Sequence, residues 1–343
     1  MKTLFTQESE FRRERDFGSK ISATFDFLSS QFKPFVKCLA YFALPGALLM
    51  GIGLALFMGK ATGFYATLLQ SSRRVAPYSM GNYDPLAMYR GWGGVGLALT
   101  VLGSLVTFML LSSTIYSYLR VRLNLTAAHT VQPRQVWDWM RPRLGRMLLA
   151  CLLLLGLSLV MMMVFGLVFA GIAAVGGAGW AILLVFVLYG AMIWIMVGLA
   201  LYFPVLWLED LGPMAALTRS FYLIKGKWWS TFGLGFVMVI IQSMISYIFA
   251  IPMYGLMALN VFQLTKTGAE NDTSLLMQAA TLLYSGSAVL LLSLPLLAMG
   301  FQYFNLAERR DSIGARQQLA LLGQTAAPET TSHFYRPDEE GEY

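Results

Sequence analysis

Few side chains in this chain have obvious chemistry to offer. His129 and His333 are the two histidines, Cys38 and Cys151 the two cysteines, and Glu209-Asp210 is an adjacent carboxylate pair. Zinc is held by clustered His and Cys ligands at short spacings, and no His or Cys pair here has that spacing. A phosphate-binding loop needs Gly-x-x-x-x-Gly-Lys-Ser/Thr, and Gly59-Lys60-Ala61 lacks the hydroxyl. Paired carboxylates can serve as acid and base. Glu209-Asp210 stands just before Pro213, so it reads instead as a helix start, with proline in the first turn. The cysteines read as apolar fillers. Asn271-Asp272-Thr273 matches a glycosylation acceptor, which a bacterial host would leave idle. No nucleophile, base or metal can be named, so the expectation is a non-enzyme with no cofactor and no metal.

The elements around these residues are dictated by composition. Hydrophobic residues make up 57% of the chain and charged residues 13%, about half the charge of a soluble domain. Residues 147–208, 228–265 and 274–307 carry no charged side chain at all. Apolar runs of about 20 residues cross the hydrocarbon core as helices. The expected fold is therefore an all-α polytopic membrane protein. It has six transmembrane helices at about 38–59, 92–118, 147–173, 180–203, 230–253 and 282–304. Residues 1–19 read as a polar, solvated arm, 20–310 as the membrane domain, and 311–343 as a partly disordered tail. No short apolar segment precedes a cleavage site, so the first span is expected to direct insertion.

Charge sets the orientation. With both termini inside, 20 of the 25 Lys and Arg residues fall in inner segments, as the positive-inside rule requires. The expected location is a bacterial cytoplasmic (inner) membrane with both ends cytoplasmic. Trp92 and Trp180 then fall at the outer boundary, and Tyr118, Trp207, Trp228 and Trp229 at the inner one, where aromatic anchors belong.

A pattern repeats at the inner side. Trp137-Asp138-Trp139-Met140-Arg141-Pro142-Arg143 precedes the third span, and Phe221-Tyr222-Leu223-Ile224-Lys225-Gly226-Lys227 precedes the fifth. Both read aromatic, two residues, apolar, basic, Pro or Gly, basic. Phe32-Lys33-Pro34 keeps the core of it before the first span. Pro or Gly breaks a surface helix, and the flanking charges and aromatics hold the break at the headgroups. The chain thus reads as three helical hairpins, each preceded by a cytoplasmic amphipathic helix. The interface anchors are Lys33, Trp137, Trp139, Arg141, Arg143, Trp207, Lys225, Lys227, Trp228 and Trp229. Ile21, Phe25, Leu28, Phe32 and Phe35 give the first surface helix an apolar stripe. That helix suits either the headgroup plane or the ends of the spans. Met214, Leu217, Phe221, Ile224 and Trp228 give the third surface helix its stripe.

The Pro204–Trp229 stretch carries a resemblance. It contains Pro-Val-Leu-Trp-Leu-Glu-Asp, Ala216-Leu217-Thr218-Arg219-Ser220-Phe221 and Lys225-Gly226-Lys227-Trp228-Trp229. These resemble a pattern in bacterial six-helix membrane proteins of poorly defined role. The stretch is similar to the membrane domain fused to some bacterial glycerophosphodiester phosphodiesterases and to stand-alone relatives of that domain. The resemblance implies an inner-membrane protein. It does not carry the phosphodiesterase activity, since it does not extend to the soluble catalytic domain.

Buried ionisable groups mark ion and proton paths in membranes, and the six expected spans contain none. Uncharged polar groups remain. Gln242 reads as a hydrogen-bonding link between helices or as part of a polar cavity with Ser243 and Ser246. Two functions fit charge-free spans. The first is a non-enzymatic scaffold or accessory subunit that meets a membrane or cytoplasmic partner protein. The second is binding or passage of a lipid or another uncharged or amphipathic molecule. The first is the expectation adopted, with membrane lipids as surroundings and no nucleic-acid partner.

Overall fold

The computed structural model describes residues 5, 8–73, 86, 89–125, 129–175, 178–267, 274–312, 314, 316 and 319. Among the described residues there is no strand. The helices are α1 (Glu8–Phe11), α2 (Phe17–Phe42), α3 (Leu44–Arg73), α4 (Trp92–Asn124), α5 (Pro133–Met140) and α6 (Leu144–Val175). They continue with α7 (Ala178–Gly198), α8 (Tyr202–Leu208), α9 (Pro213–Ile224), α10 (Trp228–Thr267), α11 (Ser274–Leu291) and α12 (Ser293–Asp311). Among the described residues, six stretches are long and apolar enough to cross a membrane: Leu44–Ala61, Trp92–Asn124, Pro133–Gly171, Val185–Leu208, Trp228–Gln263 and Leu275–Asp311. The chain is an all-α polytopic membrane protein. Residues 60–73, which fall between the first two expected spans, instead continue α3 as helix, while residues 74–85, 87 and 88, Gly176 and Gly177, and residues 268–273 lie outside the described residues. So do His333 and the acidic tail from 320.

Proline punctuates the helices. Each proline lacks the N–H that would bond the carbonyl four residues back. Gln31 leaves helical geometry three residues before Pro34, at φ −112° and ψ 16°. Ala43 separates α2 from α3 two residues before Pro45, and Leu292 separates α11 from α12 three residues before Pro295. Residues 199–201 turn between α7 and α8, with Tyr202 N–H bonding the Leu199 carbonyl at 2.9 Å, ahead of Pro204. The expected continuous helices at 180–203 and 282–304 are therefore each two helices, and the first uninterrupted span begins at Leu44. Gly226 breaks α9 from α10 at φ +80°, a conformation that suits glycine.

The hairpins pack unequally. α3 and α4 run antiparallel in backbone contact, with Gly46 against Thr107, Gly53 against Thr100, Gly103 against Met50 and Gly96 against Phe57. α11 lies on α3 and α10 on α11, closing a four-helix group. Among the described residues, the α6–α7 hairpin is buried chiefly near one end. Met147, Ala150, Cys151 and Val197 are buried, whereas all six residues from Leu155 to Val160 are exposed, spanning every face of the helix.

The core lies at the end that carries α2, α5, α8 and α9, called here the basic end. Phe5, Phe11, Phe27, Phe301 and Phe304 are fully buried there in one aromatic cluster. This corrects the expectation of a solvated arm over 1–19. Phe5 and Phe11 insert into the core, and the buried Arg15 guanidinium donates to the Phe11 carbonyl at 2.9 Å. Two apolar rings supply a reason to fold back that the surrounding charges obscure.

Candidate functional site

The stretch singled out in the sequence becomes the centre of the basic end. Pro204 lies in the first turn of α8, whose seven residues are all buried. The chain emerges at Glu209-Asp210, where Asp210 takes a left-handed conformation at φ +59°, which Asp tolerates better than most residues. Gly212 and Pro213 then start α9, with proline in the first turn.

Both carboxylates are met by arginines. Arg143 binds Asp210 through Nε to Oδ1 and Nη2 to Oδ2, each at 3.1 Å. Arg146 adds Nη2 to Oδ1 at 2.5 Å and Nη1 to the Asp210 carbonyl at 3.0 Å. Arg219, on α9, binds Glu209 through Nε to Oε2 at 2.9 Å and Nη2 to Oε1 at 3.1 Å. The same Nη2 also donates to Asp311 at the end of α12. Tyr303 donates to Glu209 Oε1 at 3.2 Å. Hydrogen bonds from Arg143 and Arg146 outweigh desolvation and hold the Asp210 carboxyl down at about 2. The Glu209 and Asp311 partners raise the Arg219 pKa above its ordinary value, although burial pulls the other way.

This arrangement is a clasp. Asp210 ties the α8–α9 junction to the start of α6, and Glu209 ties it through Arg219 to the end of α12. Carboxylates filled by charge-assisted bonds are poorly placed to take a proton or bind a cation. Arg120 joins the clasp by donating to the Leu208 carbonyl at 3.1 Å, and Trp139 lies beneath the Arg143 guanidinium, 4.0 Å from the ring centroid.

The expected anchors separate on inspection. Lys33, Arg141, Lys225 and Lys227 are exposed. Trp229 is 77% exposed, Trp228 half-buried, and Trp137 lies face to face with Phe42 at 5.7 Å. Trp139 and Arg143 serve the clasp rather than free interface. Trp207 is the correction: at 2% exposure it is a core residue, its indole N–H pointing at Met147 Sδ at 3.4 Å. The turn before Pro204 draws α8 back against α4, α9 and α12, so Trp207 is enclosed by protein.

The surface helices also differ from their apolar stripes. α9 buries Ala216, Ser220, Leu223 and Ile224, and Met214 is 68% exposed. Ser220 donates to the Gly198 carbonyl at 2.7 Å, so small side chains let α9 close on the end of α7. α2 buries Lys20, Ala23, Thr24, Phe27 and Phe35, and leaves Phe17, Phe25 and Phe32 exposed. It packs on the helix ends and presents a second apolar stripe outward. Gln242 donates to Ser246 at 3.3 Å, one turn along its own helix, and Ser243 is half-buried beside it. The Gln242 side-chain bond therefore stays within α10.

Several residues of the basic end went unread. Gln302 donates to Thr231 Oγ1 at 2.9 Å, and Asn305 accepts from the Arg15 backbone N–H at 2.8 Å. Polar residues at a helix spacing of three, at the end of an apolar run, were the available signal. Comparison with protein-family models, curated proteins and solved structures finds no match to this chain.

Proposed function

We propose that the protein is a non-enzymatic scaffold or accessory subunit of a membrane complex. In this reading it sits in a bacterial cytoplasmic membrane with both termini on the cytoplasmic side. The observation that carries it is the α6–α7 hairpin, exposed on every face from Leu155 to Val160 and again across most of 162–171. Spans associate by close van der Waals packing at small residues, as α3 and α4 do here through Gly53 and Gly103. Gly156, Gly166 and Gly190 of the hairpin have open space where a Cβ would stand. A partner span can use those positions, while the clasp fixes the hairpin base to the rest of the protein.

The test is a photo-reactive residue at Met163, activated in native membranes. A discrete protein adduct supports the reading, and adducts with lipid alone refute it. Lipid binding or passage is the second reading. Its support is an apolar groove of about 610 Å³ between α10 and α11, lined by Ile251, Pro252, Gly255, Leu256, Ala279 and Leu283.

A further inference from the structure

Lys20 is the least expected cation in the structure. It is 4% exposed, on the buried face of α2, and its Nζ donates to Ser230 Oγ at 3.1 Å. That bond is part-buried, and Ser230 is itself half-buried. Burial first, then the charges of Arg309 and Lys227, push its pKa down to about 8. Lys227 stands three residues before Ser230, and Arg309 lies near the end of α12, which packs against both α2 and α10. Among the described residues, one carboxylate pairs with the three, Glu14 at 3.4 Å from Arg309 Nε, and both of those side chains are partly exposed. Asp16 acts on Lys20 only weakly and accepts a hydrogen bond from Ser19. Gathering like charges around a buried ammonium is costly unless an anion joins them.

The surroundings indicate what kind of anion. Ser230 lies in the first turn of the 40-residue α10, and helix N-termini favour anions. Phe17, part-exposed, lies 3.4 Å from where a Cβ on Gly233 would stand. Trp229 and the 56% exposed Phe236 continue along α10 away from the charges. Charge above and exposed aromatic surface below is the pattern of a headgroup with its chains.

We propose that Lys20, Lys227, Arg309 and Ser230 bind the phosphate of an anionic phospholipid whose acyl chains run beside Phe17, Trp229 and Phe236. The site is independent of whether the protein is a scaffold. A basic residue near an anionic surface changes binding about fivefold, so removing two changes it roughly 25-fold.

The test is native mass spectrometry of the full-length protein in mild detergent, titrated with phosphatidylglycerol or phosphatidylcholine. Wild type is expected to retain phosphatidylglycerol selectively. The Lys227→Gln, Arg309→Gln variant, altered at two exposed positions, is expected to bind it roughly 25-fold more weakly. Arg134→Gln, an exposed cation on α5 outside the cluster, is expected to change nothing. Equal loss in Arg134→Gln would show a diffuse basic surface and overturn the site, as would absence of selectivity in wild type. Displacement of the lipid by millimolar inorganic phosphate would show a free-anion site and overturn the lipid assignment.

Discussion

Replacing Gly103 with alanine tests the tightest seam in the fold. An added Cβ would stand 2.6 Å from the Met50 backbone N and 2.7 Å from its Cα. Carbon atoms prefer about 3.5–4.0 Å, and a helix backbone cannot rotate aside as a side chain can. α3 and α4 must therefore part by about 1 Å, a gap that forfeits a quarter to a half of each contact it opens. Overpacking of this kind costs about 1–3 kcal/mol. Alanine returns about 0.5–1 kcal/mol through its better helix propensity, leaving a net loss of up to about 2.5 kcal/mol. Gly166→Ala is the matched control, because nothing lies within 4 Å of its Cβ position and only the gain applies. Unfolding in mixed micelles by SDS titration, followed by tryptophan fluorescence, reads the difference as a shift in midpoint. The double variant Gly96→Ala, Gly103→Ala should lose less than the sum, since one separation relieves both clashes. Equal midpoints for Gly103→Ala and Gly166→Ala would refute the close α3–α4 approach.

Three further outcomes follow from the basic end and the span order. Asp210 has a folded-state pKa of about 2 against an ordinary 3.8, so its stabilisation is complete above about pH 4 and lost as pH falls toward 2. Wild type should lose stability across that window, whereas Asp210→Asn should lose less there while being weaker at neutral pH, as unfolding midpoints against pH would show. Arg219→Gln leaves Glu209 and Asp311 without their shared cation and should destabilise by about 1–3 kcal/mol, with faster hydrogen exchange in α9; unchanged exchange would dissolve the clasp. Reporter fusions after Lys60, Gly177 and Lys266 should all report outside, and an inside signal at any of them ends the six-span order.

The spans were legible because charge is excluded from hydrocarbon and the gaps between charged segments are long. Their breaks were harder to read. Membrane helices accommodate proline when neighbours satisfy the freed carbonyl, and Pro252 lies inside an unbroken α10, so the proline alone did not decide at Pro204 and Pro295. The surface helices misled for another reason. A stripe of large apolar residues is visible in sequence, but the faces that pack closest use Ala216 and Ser220 on α9, and Ala23, Thr24 and Lys20 on α2. Small and amphipathic side chains fit where helices converge, and Phe17, Phe25 and Phe32 of α2 are left for the periphery. Glu209-Asp210 was visible as a helix start, whereas the Asp311 partner of Arg219 is 92 residues away, beyond any local signal. Trp207 looked like an anchor because tryptophan at a span end usually is one; only the turn before Pro204 makes it core.

The uneven packing has a physical cause that bears on function. Lipid tails are as apolar as leucine, so the hydrophobic effect does not drive one span onto another within the bilayer. Water reaches the basic end, and there burial of Phe5, Phe11, Phe27, Phe301 and Phe304 is favourable as it is in a soluble core. The fold is thus assembled from its wet end. α12 holds it there through Gln302 to α10, Asn305 to the arm, Tyr303 to Glu209 and Asp311 to Arg219. Far from that end α3 and α4 approach through glycine, whereas Gly156, Gly166 and Gly171 of α6 and Gly190 of α7 have nothing within 4 Å of a Cβ position. A partner that seats against the hairpin would therefore meet a span fixed at its base and free along its length. Its attachment would depend on the clasp without touching it. Loss of Arg143 or Arg146 should weaken partner capture at Met163 even though both side chains lie at the opposite end of the helix.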